Sequence, residues 1–381
     1  MSSAASRSCT TKLSRNIMTD SLTIDTLGLD LKHGPDGLDF FAGVISTPKP
    51  EQEAFEIDLD GTVGNGKAQM LLQYLNAKKE KGIYLGLDAA LGRRGIRMKF
   101  FPENPTLVYR PFKLNERNYI YLADRGRIYG NVHLFDEQGT GIQFYTNRED
   151  TIADQEMTVE LSRIGLQQFR KVIPYMPDMD GWLGGSLHYV DSEGQMMLSA
   201  DVRVDDFVYE KSPMGNWEMS GVYLPGDSSR HHVDGFLTHN DREIIYMNGI
   251  YQADAIGNET ITGNLELQHF PLTVLNPFIP EKMVEFTGDV DGTLSMDGNP
   301  MHPDLNGGLK LDSVSMTMPD LSIGFRFDDK MVNMVDSKMM FEQFNIYTKG
   351  DTPFAINGSV DFSDMEKMMV DLRMKTNDYE L

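Results

Sequence analysis

Cysteine is almost absent from this chain. Cys9 is the single cysteine among 381 residues, so an internal disulfide framework is excluded, and a lone cysteine cannot form a cysteine metal site. It lies in a polar segment that predicts a flexible lead-in at residues 1–16. No apolar stretch precedes it as a secretory or lipoprotein signal requires, and no apolar run reaches the roughly 18 residues of a membrane span. We therefore expect a protein that is either cytosolic or separated from its targeting and anchoring parts.

Positive charge is also scarce. The chain carries 35 Lys and Arg residues against 57 Asp and Glu residues, which gives a net charge of −22. Such a chain repels phosphate backbones and the anionic surface of a membrane. Nucleic-acid binding is therefore not expected.

Helical periodicity is rare, and short alternating runs replace it from Asp20 onward. Apolar and polar residues alternate in Phe55–Leu59, Ile83–Leu87 and Ile96–Phe100, and Gly, Asn and Asp residues separate such runs. Because successive side chains of a strand point to opposite faces, each run has one apolar and one hydrated face. The pattern predicts an all-β fold built as an antiparallel meander.

Two segments interrupt this rhythm, residues 166–177 and 272–284. Each is an apolar stretch bounded by prolines, which end a helix. We expect a single turn or a short helix in each.

Complete catalytic motifs are missing. The segment from Gly61 to Ala68 meets GxxxxGK, but Ala68 stands where a P-loop needs the Ser or Thr hydroxyl that binds Mg²⁺. A Gly-rich hairpin is the favoured interpretation, because the segment lies between two strand-like runs. Gly184-Gly-Ser-Leu-His188 does not supply the GxSxG elbow of a serine hydrolase. We expect no enzymatic activity and no cofactor.

Metal ligands are suggested only weakly. Asp58-Leu-Asp-Gly61 and Asp289-Val-Asp-Gly292 invite a calcium interpretation, but both lack the distal Glu of an EF-hand loop, so solvated strand ends are expected. His231 and His232 beside Asp234 could contact a metal, although an exposed hairpin explains them better. No metal site is predicted.

A long repeat organises the second half of the chain. Leu166, Ile173 and Pro174 lie 106 residues before Leu272, Ile279 and Pro280. A fixed period is the sequence mark of an array of stacked units. We predict a lead-in at 1–16, a diverged N-terminal part at 17–160, repeat units at 161–266 and 267–371, and the start of a further, truncated unit at 372–381. The chain would then be a piece of a longer array.

The repeated motif resembles that of a known family. Residues 288–300, Gly-Asp-Val-Asp-Gly-Thr-Leu-Ser-Met-Asp-Gly-Asn-Pro, and then residues 302–311 are similar to the signature of TamB and related AsmA-like envelope proteins. The resemblance covers residues 157–381 well and residues 17–155 more loosely. It implies an elongated, twisted antiparallel sheet curled into an apolar groove that carries phospholipid between the inner and outer membranes. It also implies a periplasmic location, an inner-membrane tether outside this chain, and, for TamB, outer-membrane protein assembly with an Omp85-family partner.

The physical chemistry of lipids is compatible with such a role. Each acyl methylene exposed to water costs about 0.8 kcal/mol, so a chain of roughly sixteen carbons crosses water at a cost on the order of 10 kcal/mol. An apolar face would remove this barrier without any catalytic residue. We predict that phospholipid acyl chains contact ten apolar positions: Leu183, Leu187, Val202, Val204, Leu265, Leu267, Val290, Leu294, Leu309 and Leu311.

A second hypothesis uses the same strands differently. The chain could be an adhesin or a glycan-binding β-solenoid, at the cell surface or in the periplasm, whose apolar interior is a plain packed core. The two hypotheses differ in whether the apolar positions remain accessible to a lipid.

Overall fold

The chain is nearly all β. A computed structural model describes residues 8–13, 17–18, 23–34, 37–48, 53–147, 154–171, 173, 176–226, 230–253, 257–279, 283–348, 352–364 and 367–376. The described strands are paired antiparallel, as the alternating runs predict, so the prediction of an all-β antiparallel fold is confirmed. The chain divides into two compact units, Met1–Gly194 and Gln195–Leu381.

Unit 1 is an antiparallel sheet in which most strands pair with the next strand along the chain. The exceptions are β1, which pairs with β4, β11, which pairs with β13, and β12, which pairs with β9 as well as with β13; β2 and β3 form a separate small pair. Its strands are β1 (Ser8–Leu13), β2 (Ile17–Met18), β3 (Thr23–Ile24), β4 (Thr26–His33), β5 (Leu38–Ser46), β6 (Phe55–Gly64), β7 (Lys67–Asn76), β8 (Lys81–Gly92), β9 (Gly95–Leu107), β10 (Arg110–Pro111), β11 (Lys113–Leu114), β12 (Tyr119–Ala123), β13 (Ile128–Phe135), β14 (Gly141–Thr146), β15 (Gln155–Gly165) and β16 (Met179–Ser192).

Unit 2 is a second antiparallel run of longer strands. From β17 to β23 each strand pairs with the next, whereas β24 and β25 both pair with β23 on one side and β26 on the other. Its strands are β17 (Gln195–Tyr209), β18 (Ser212–Pro225), β19 (Arg230–His239), β20 (Arg242–Ala253), β21 (Glu259–Pro271), β22 (Glu285–Asn299), β23 (His302–Met318), β24 (Ile323–Phe327), β25 (Met331–Val335), β26 (Lys338–Tyr347), β27 (Phe354–Asp361) and β28 (Met369–Lys375).

The register of unit 1 places its apolar residues on one face. Directly opposed residues of an antiparallel pair share a face. Leu29 opposes Ala42, Ala42 opposes Leu59, Leu59 opposes Leu72, and Leu72 opposes Leu85. We call this side the apolar face of unit 1.

The other side of the same strands is polar. Asp39 opposes Thr62, Thr62 opposes Gln69, Gln69 opposes Asp88, and Asp88 opposes Lys99. Successive side chains of a strand point to opposite faces, so the charged and amide groups of this row lie on the side of the sheet opposite the apolar row.

Unit 2 repeats this division. Met247 opposes Leu265, Leu265 opposes Leu294, Leu294 opposes Gly307, and Gly307 opposes Met334. Gly307 has a φ of 155°, and a Cβ there would lie 2.1 Å from the carbonyl oxygen of Thr293. Only glycine allows the two backbones to approach so closely in the middle of the apolar face of unit 2.

Short 3-10 helices interrupt the strands where the proline-bounded segments predict them. One spans Leu166–Lys171 and another spans Leu272–Phe278; Asp124–Gly126 and Pro319–Leu321 form two shorter ones. Asn276 fixes the Leu272–Phe278 helix to β22, because its Nδ2 donates to the Phe286 carbonyl at 2.8 Å and its Oδ1 accepts the Phe286 N–H at 2.7 Å. The prediction of two short helical segments is confirmed.

The structure differs from the sequence expectation near the N-terminus. Of the predicted flexible lead-in, residues 8–13 are described, and they form β1 opposite Leu27–Lys32 of β4. A polar sequence can do this because backbone hydrogen bonds along a strand edge need no apolar side chains.

The boundary between the compact units, at Gly194, falls inside the predicted repeat unit 161–266. The repeat boundaries stay a prediction.

Candidate functional site

The ten positions predicted to contact lipid all lie on the apolar faces. In unit 1, Leu183 opposes Ile164 and Leu187 opposes Val159. In unit 2 the opposed pairs are Val202 and Met219, Val204 and Trp217, Leu267 and Ile245, Leu265 and Leu294, Val290 and Leu311, and Leu309 and Val332. The strand alternation therefore places all ten positions on the apolar face of their unit.

Three of these ten positions are packed core residues. Val290, Leu294 and Leu309 form a buried cluster with Met334, and each of the four is between 4 % and 8 % exposed. Leu265, Leu267, Leu272, Leu305, Leu311 and Met339 pack against this cluster. Side chains so enclosed offer almost no surface to an acyl chain, so Val290, Leu294 and Leu309 have a core-packing role in this structure, and lipid contact at the ten positions stays a prediction.

The sequence prediction missed the exposed part of the apolar face of unit 1. Large apolar side chains of unit 1 on this face remain exposed, up to 67 % for Leu91. They are Leu27, Leu29, Leu38, Val63, Leu72, Leu91, Ile96, Leu122, Ile142 and Leu187. Only Leu187 was among the predicted ten, because the repeat directed attention to the second half of the chain. The alternation in Ile96–Phe100 was the signal that could have found the others.

Polar rings mark one end of the apolar face in unit 2. His231 Nδ1 lies 2.8 Å from the Tyr223 hydroxyl, and the two rings stack at 5.3 Å; the Tyr251 ring lies 5.6 Å from His231 on the other side. The hydrogen bond to Glu259 raises the pKa of the Tyr251 hydroxyl. His231 thus belongs to an aromatic row, while His232 points to the opposite face, so this strand does not present the two histidines together to a metal.

The acidic segments are strand interiors rather than strand ends. Asp58 and Asp60 lie within β6, and Asp289 and Asp291 lie within β22. Burial, followed by the negative charges of Glu56 and Asp60, raises the pKa of the Asp58 carboxyl. Within the described ranges, no group of three His, Cys, Asp or Glu side chains is placed to hold a metal ion.

The GxxxxGK segment is a β-hairpin. Gly64 opposes Lys67 across a two-residue turn, with φ of 50° at Asn65 and 73° at Gly66, which is the conformation of a type I′ turn. Lys67 therefore begins β7, where a P-loop would begin a helix. The hairpin interpretation is confirmed.

A pocket of about 1040 Å³ lies beside this hairpin. Lys67, Arg97 and Lys99 line it together with Asp39 and Asp88, so that both charge signs are interspersed. The register places these five side chains on the polar face of unit 1. Mixed charges of this kind are typical of a hydrated sheet surface.

Comparison with known proteins adds no relative. No protein-family model, no curated protein and no solved structure matches the chain. In the part of the chain that the structure describes, no helix has the length and hydrophobicity needed to cross a membrane. The resemblance to the TamB and AsmA-like family stays a prediction.

Proposed function

We propose that the apolar faces bind phospholipid acyl chains and carry them through water as part of a lipid conduit. One observation carries this proposal: in each unit a single sheet face is apolar from strand to strand, and many of its large side chains remain exposed. Exposed contiguous apolar surface on a protein marks a binding site for an apolar partner.

The charge distribution supports a lipid partner rather than a nucleic acid. The apolar rows are backed by polar rows on the same strands, and the chain has a net charge of −22. The polar side keeps the protein in water, while the apolar side lowers the cost of on the order of 10 kcal/mol for moving an acyl chain between membranes. Such transfer breaks no covalent bond, so we propose a carrier without catalytic residues.

The cellular setting is proposed on the family resemblance. A TamB-like protein would work in the periplasm of a double-membrane envelope, tethered to the inner membrane by a segment outside this chain. It would supply phospholipid to the outer membrane and could assist outer-membrane protein assembly with an Omp85-family partner. The apolar faces support the lipid part of this proposal only.

One observation favours the alternative function. The cluster of Val290, Leu294, Leu309 and Met334 is what the plain core of an adhesion or glycan-binding protein would look like. If the whole apolar face closed in this way, no lipid would enter.

Uptake of lipid by the purified chain tests the proposal. Delipidated protein is titrated into a fluorescent phospholipid, and binding is followed by fluorescence and by native mass spectrometry of the complex. We expect saturable binding that unlabelled phospholipid of the same chain length displaces. A chain that stays folded by circular dichroism and takes up no lipid at any concentration would contradict the conduit and leave the packed-core alternative.

A further inference from the structure

Strand β28 forms an edge of the sheet in unit 2. It pairs with β27 over all seven of its residues without a register shift, and no other described strand pairs with it. The backbone N–H and C=O groups on its outer side therefore face no described strand. Natural sheets usually protect such an edge with a proline, a bulge or a very short strand, and β28 has none of these.

The apolar face of unit 2 extends to this edge. Met334 opposes Met339. Val360 opposes Met339 on one side and Val370 of β28 on the other. Val370 and Met374 lie four residues apart on the same face of β28, and they are 64 % and 70 % exposed. A further strand at this edge would cover apolar side chains as well as pair backbone groups.

The sequence of β28 is complementary to a second copy of itself. When two copies are aligned antiparallel with Leu372 at the centre, Asp371 of each copy lies opposite Arg373 of the other. In the same alignment Val370 lies opposite Met374. Because opposed residues share a face, the opposite charges meet on the polar face and the apolar side chains meet on the apolar face.

Charge selects this register over its neighbours. A twofold pairing centred on Asp371 places the two Asp371 carboxylates opposite each other, and one centred on Arg373 does the same with two guanidinium groups. Like charges directly opposite each other destabilise a sheet. In the described part of the chain, no salt bridge or side-chain hydrogen bond involves Asp371 or Arg373, so both can pair with a second copy.

We propose that two copies of this chain dimerise through β28 and form one continuous sheet about a twofold axis at Leu372. The apolar faces of the two copies then join across the axis. The inference goes beyond the proposed function, because the pairing does not depend on lipid. One strand of seven residues buries less surface than a standard interface, so we expect a reversible dimer in the micromolar range.

Charge reversal tests the proposed pairing. Sedimentation velocity of the full chain across the micromolar range measures dimerisation. Asp371→Arg and Arg373→Asp each place like charges opposite each other, so we expect either substitution to weaken dimerisation at least about fivefold. Both substitutions in one chain restore the opposite-charge pairs and the net charge, and they should restore the dimer. An equimolar mixture of the two single variants should form a heterodimer for the same reason.

Cross-linking tests the register. In a Cys9→Ser background, Leu372→Cys places two thiols opposite each other, within reach of a disulfide. Val370→Cys is the matched control, because it places the two thiols roughly 13 Å apart along the strands. We expect copper phenanthroline to produce a cross-linked dimer from the first variant and not from the second.

The contrary outcomes are distinct. A parent chain that stays monomeric across the concentration range overturns the dimer, and so does a dimer that neither charge reversal weakens. Oligomers that keep growing with concentration indicate head-to-tail pairing and overturn the twofold axis. Equal cross-linking of the two cysteine variants contradicts the register. Asp371 and Arg373 are exposed, so circular dichroism should show unchanged folding, and lipid uptake by the monomeric variants tests the carrier separately.

Discussion

Asp291 holds His269 in a strained backbone conformation. Its Oδ1 accepts the backbone N–H of His269 at 2.8 Å, and its Oδ2 lies 3.1 Å from His269 Nδ1. His269 has a φ of 48° and sits where the register of β21 and β22 shifts between Leu267 and Phe270. The side chain of one strand thus satisfies the amide that a bulge in its neighbour leaves unpaired.

The same arrangement recurs at two further bulges of unit 2. Asn216 Oδ1 accepts the backbone N–H of Asp206 at 2.8 Å, and Asn357 Oδ1 accepts that of Gln343 at 2.9 Å. Asp206 and Gln343 also have positive φ and lie at register shifts. Because a bulge bends a strand and increases its twist, repeated bulges with repeated side-chain acceptors shape successive strands alike.

Removing the Asp291 carboxylate should destabilise the bulge at His269. We expect Asp291→Ala to lower the free energy of unfolding by about 1 kcal/mol, because the His269 amide loses its partner in a conformation that disfavours a non-glycine residue. Urea denaturation followed by circular dichroism measures the loss. Thr293→Ala, at an exposed position on the same face of β22, is the control; equal effects of the two substitutions would show that the Asp291 hydrogen bond contributes nothing specific.

Charge on the apolar face should block lipid binding, and charge on the other face should not. Leu29→Asp with Leu72→Asp changes the apolar face of unit 1, and Ile45→Asp with Phe41→Asp changes the opposite face. The pairs are matched in exposure: Leu29 and Ile45 are 42 % and 43 % exposed, and Leu72 and Phe41 are both 37 % exposed. We expect the first variant to bind the fluorescent phospholipid at least about threefold more weakly, because an acyl chain cannot solvate a carboxylate.

The second variant is the control for net charge and for general damage to the sheet. It adds the same two charges to the opposite face of the sheet, on β5, and should bind like the parent chain. If both variants lose the same amount of binding while both remain folded by circular dichroism, the apolar face of unit 1 is not the lipid site.

Truncation should distinguish the packed part of the apolar face from its accessible part. Leu294→Ala removes most of a side chain that is only 4 % exposed and leaves a cavity in the core. We therefore expect a loss of about 3 kcal/mol in the free energy of unfolding. Leu198→Ala makes the same chemical change at an exposed position of the same face and should cost less than about 1 kcal/mol. Urea denaturation of both variants measures the difference. Similar costs at the two positions would contradict the assignment of Leu294 to the core.

Acid should weaken unit 2 through Asp361. Its carboxylate accepts hydrogen bonds from the Ser363 hydroxyl at 2.6 Å and from the Ser363 N–H at 3.0 Å, and Lys338 Nζ lies 3.3 Å away. The Ser363 hydrogen bonds, with Lys338 as a smaller contribution, lower the pKa of this carboxyl below its ordinary value of 3.8. The stabilisation is therefore present above pH 3.8 and is lost as the pH falls through the lowered pKa.

Comparison with an uncharged variant isolates this carboxylate from the other acids of the chain. We expect Asp361→Asn to be less stable than the parent at pH 7, and we expect the difference to shrink as the pH falls below about 4. Denaturation midpoints across this pH range provide the measurement. A stability difference that stays constant down to the lowest pH at which the chain folds would contradict the assignment.

Much of the fold is readable from local chemistry. Alternation in Phe55–Leu59 and Ile96–Phe100 marks strands because the side-chain period of a strand is two, whatever the strand packs against. The Asn65-Gly66 pair fixes a hairpin because both residues tolerate positive φ. Proline-bounded apolar stretches predict the two short helices for an equally local reason.

Contacts between distant strands could not be read in this way. Cys9 and its neighbours lack the alternation of apolar and polar residues that predicts a strand. They form β1 nevertheless, because their backbone pairs with the edge of β4. Asp289 and Asp291 resemble turn residues, but the long β22–β23 pairing keeps them in a strand. In both cases backbone pairing with another strand overrides the local preference of the residues.

The sequence by itself determined that this protein is an antiparallel β-protein with one apolar and one polar side, since alternation fixes which side chains share a face. Tertiary structure alone decided which apolar side chains are buried and which remain exposed. Leu294 and Leu29 have the same side chain, and each lies on the apolar face of its unit, yet one lies in a buried cluster and the other is exposed. The reason is that burial depends on how closely neighbouring strands and the Leu272–Phe278 helix approach, and no local pattern encodes that distance.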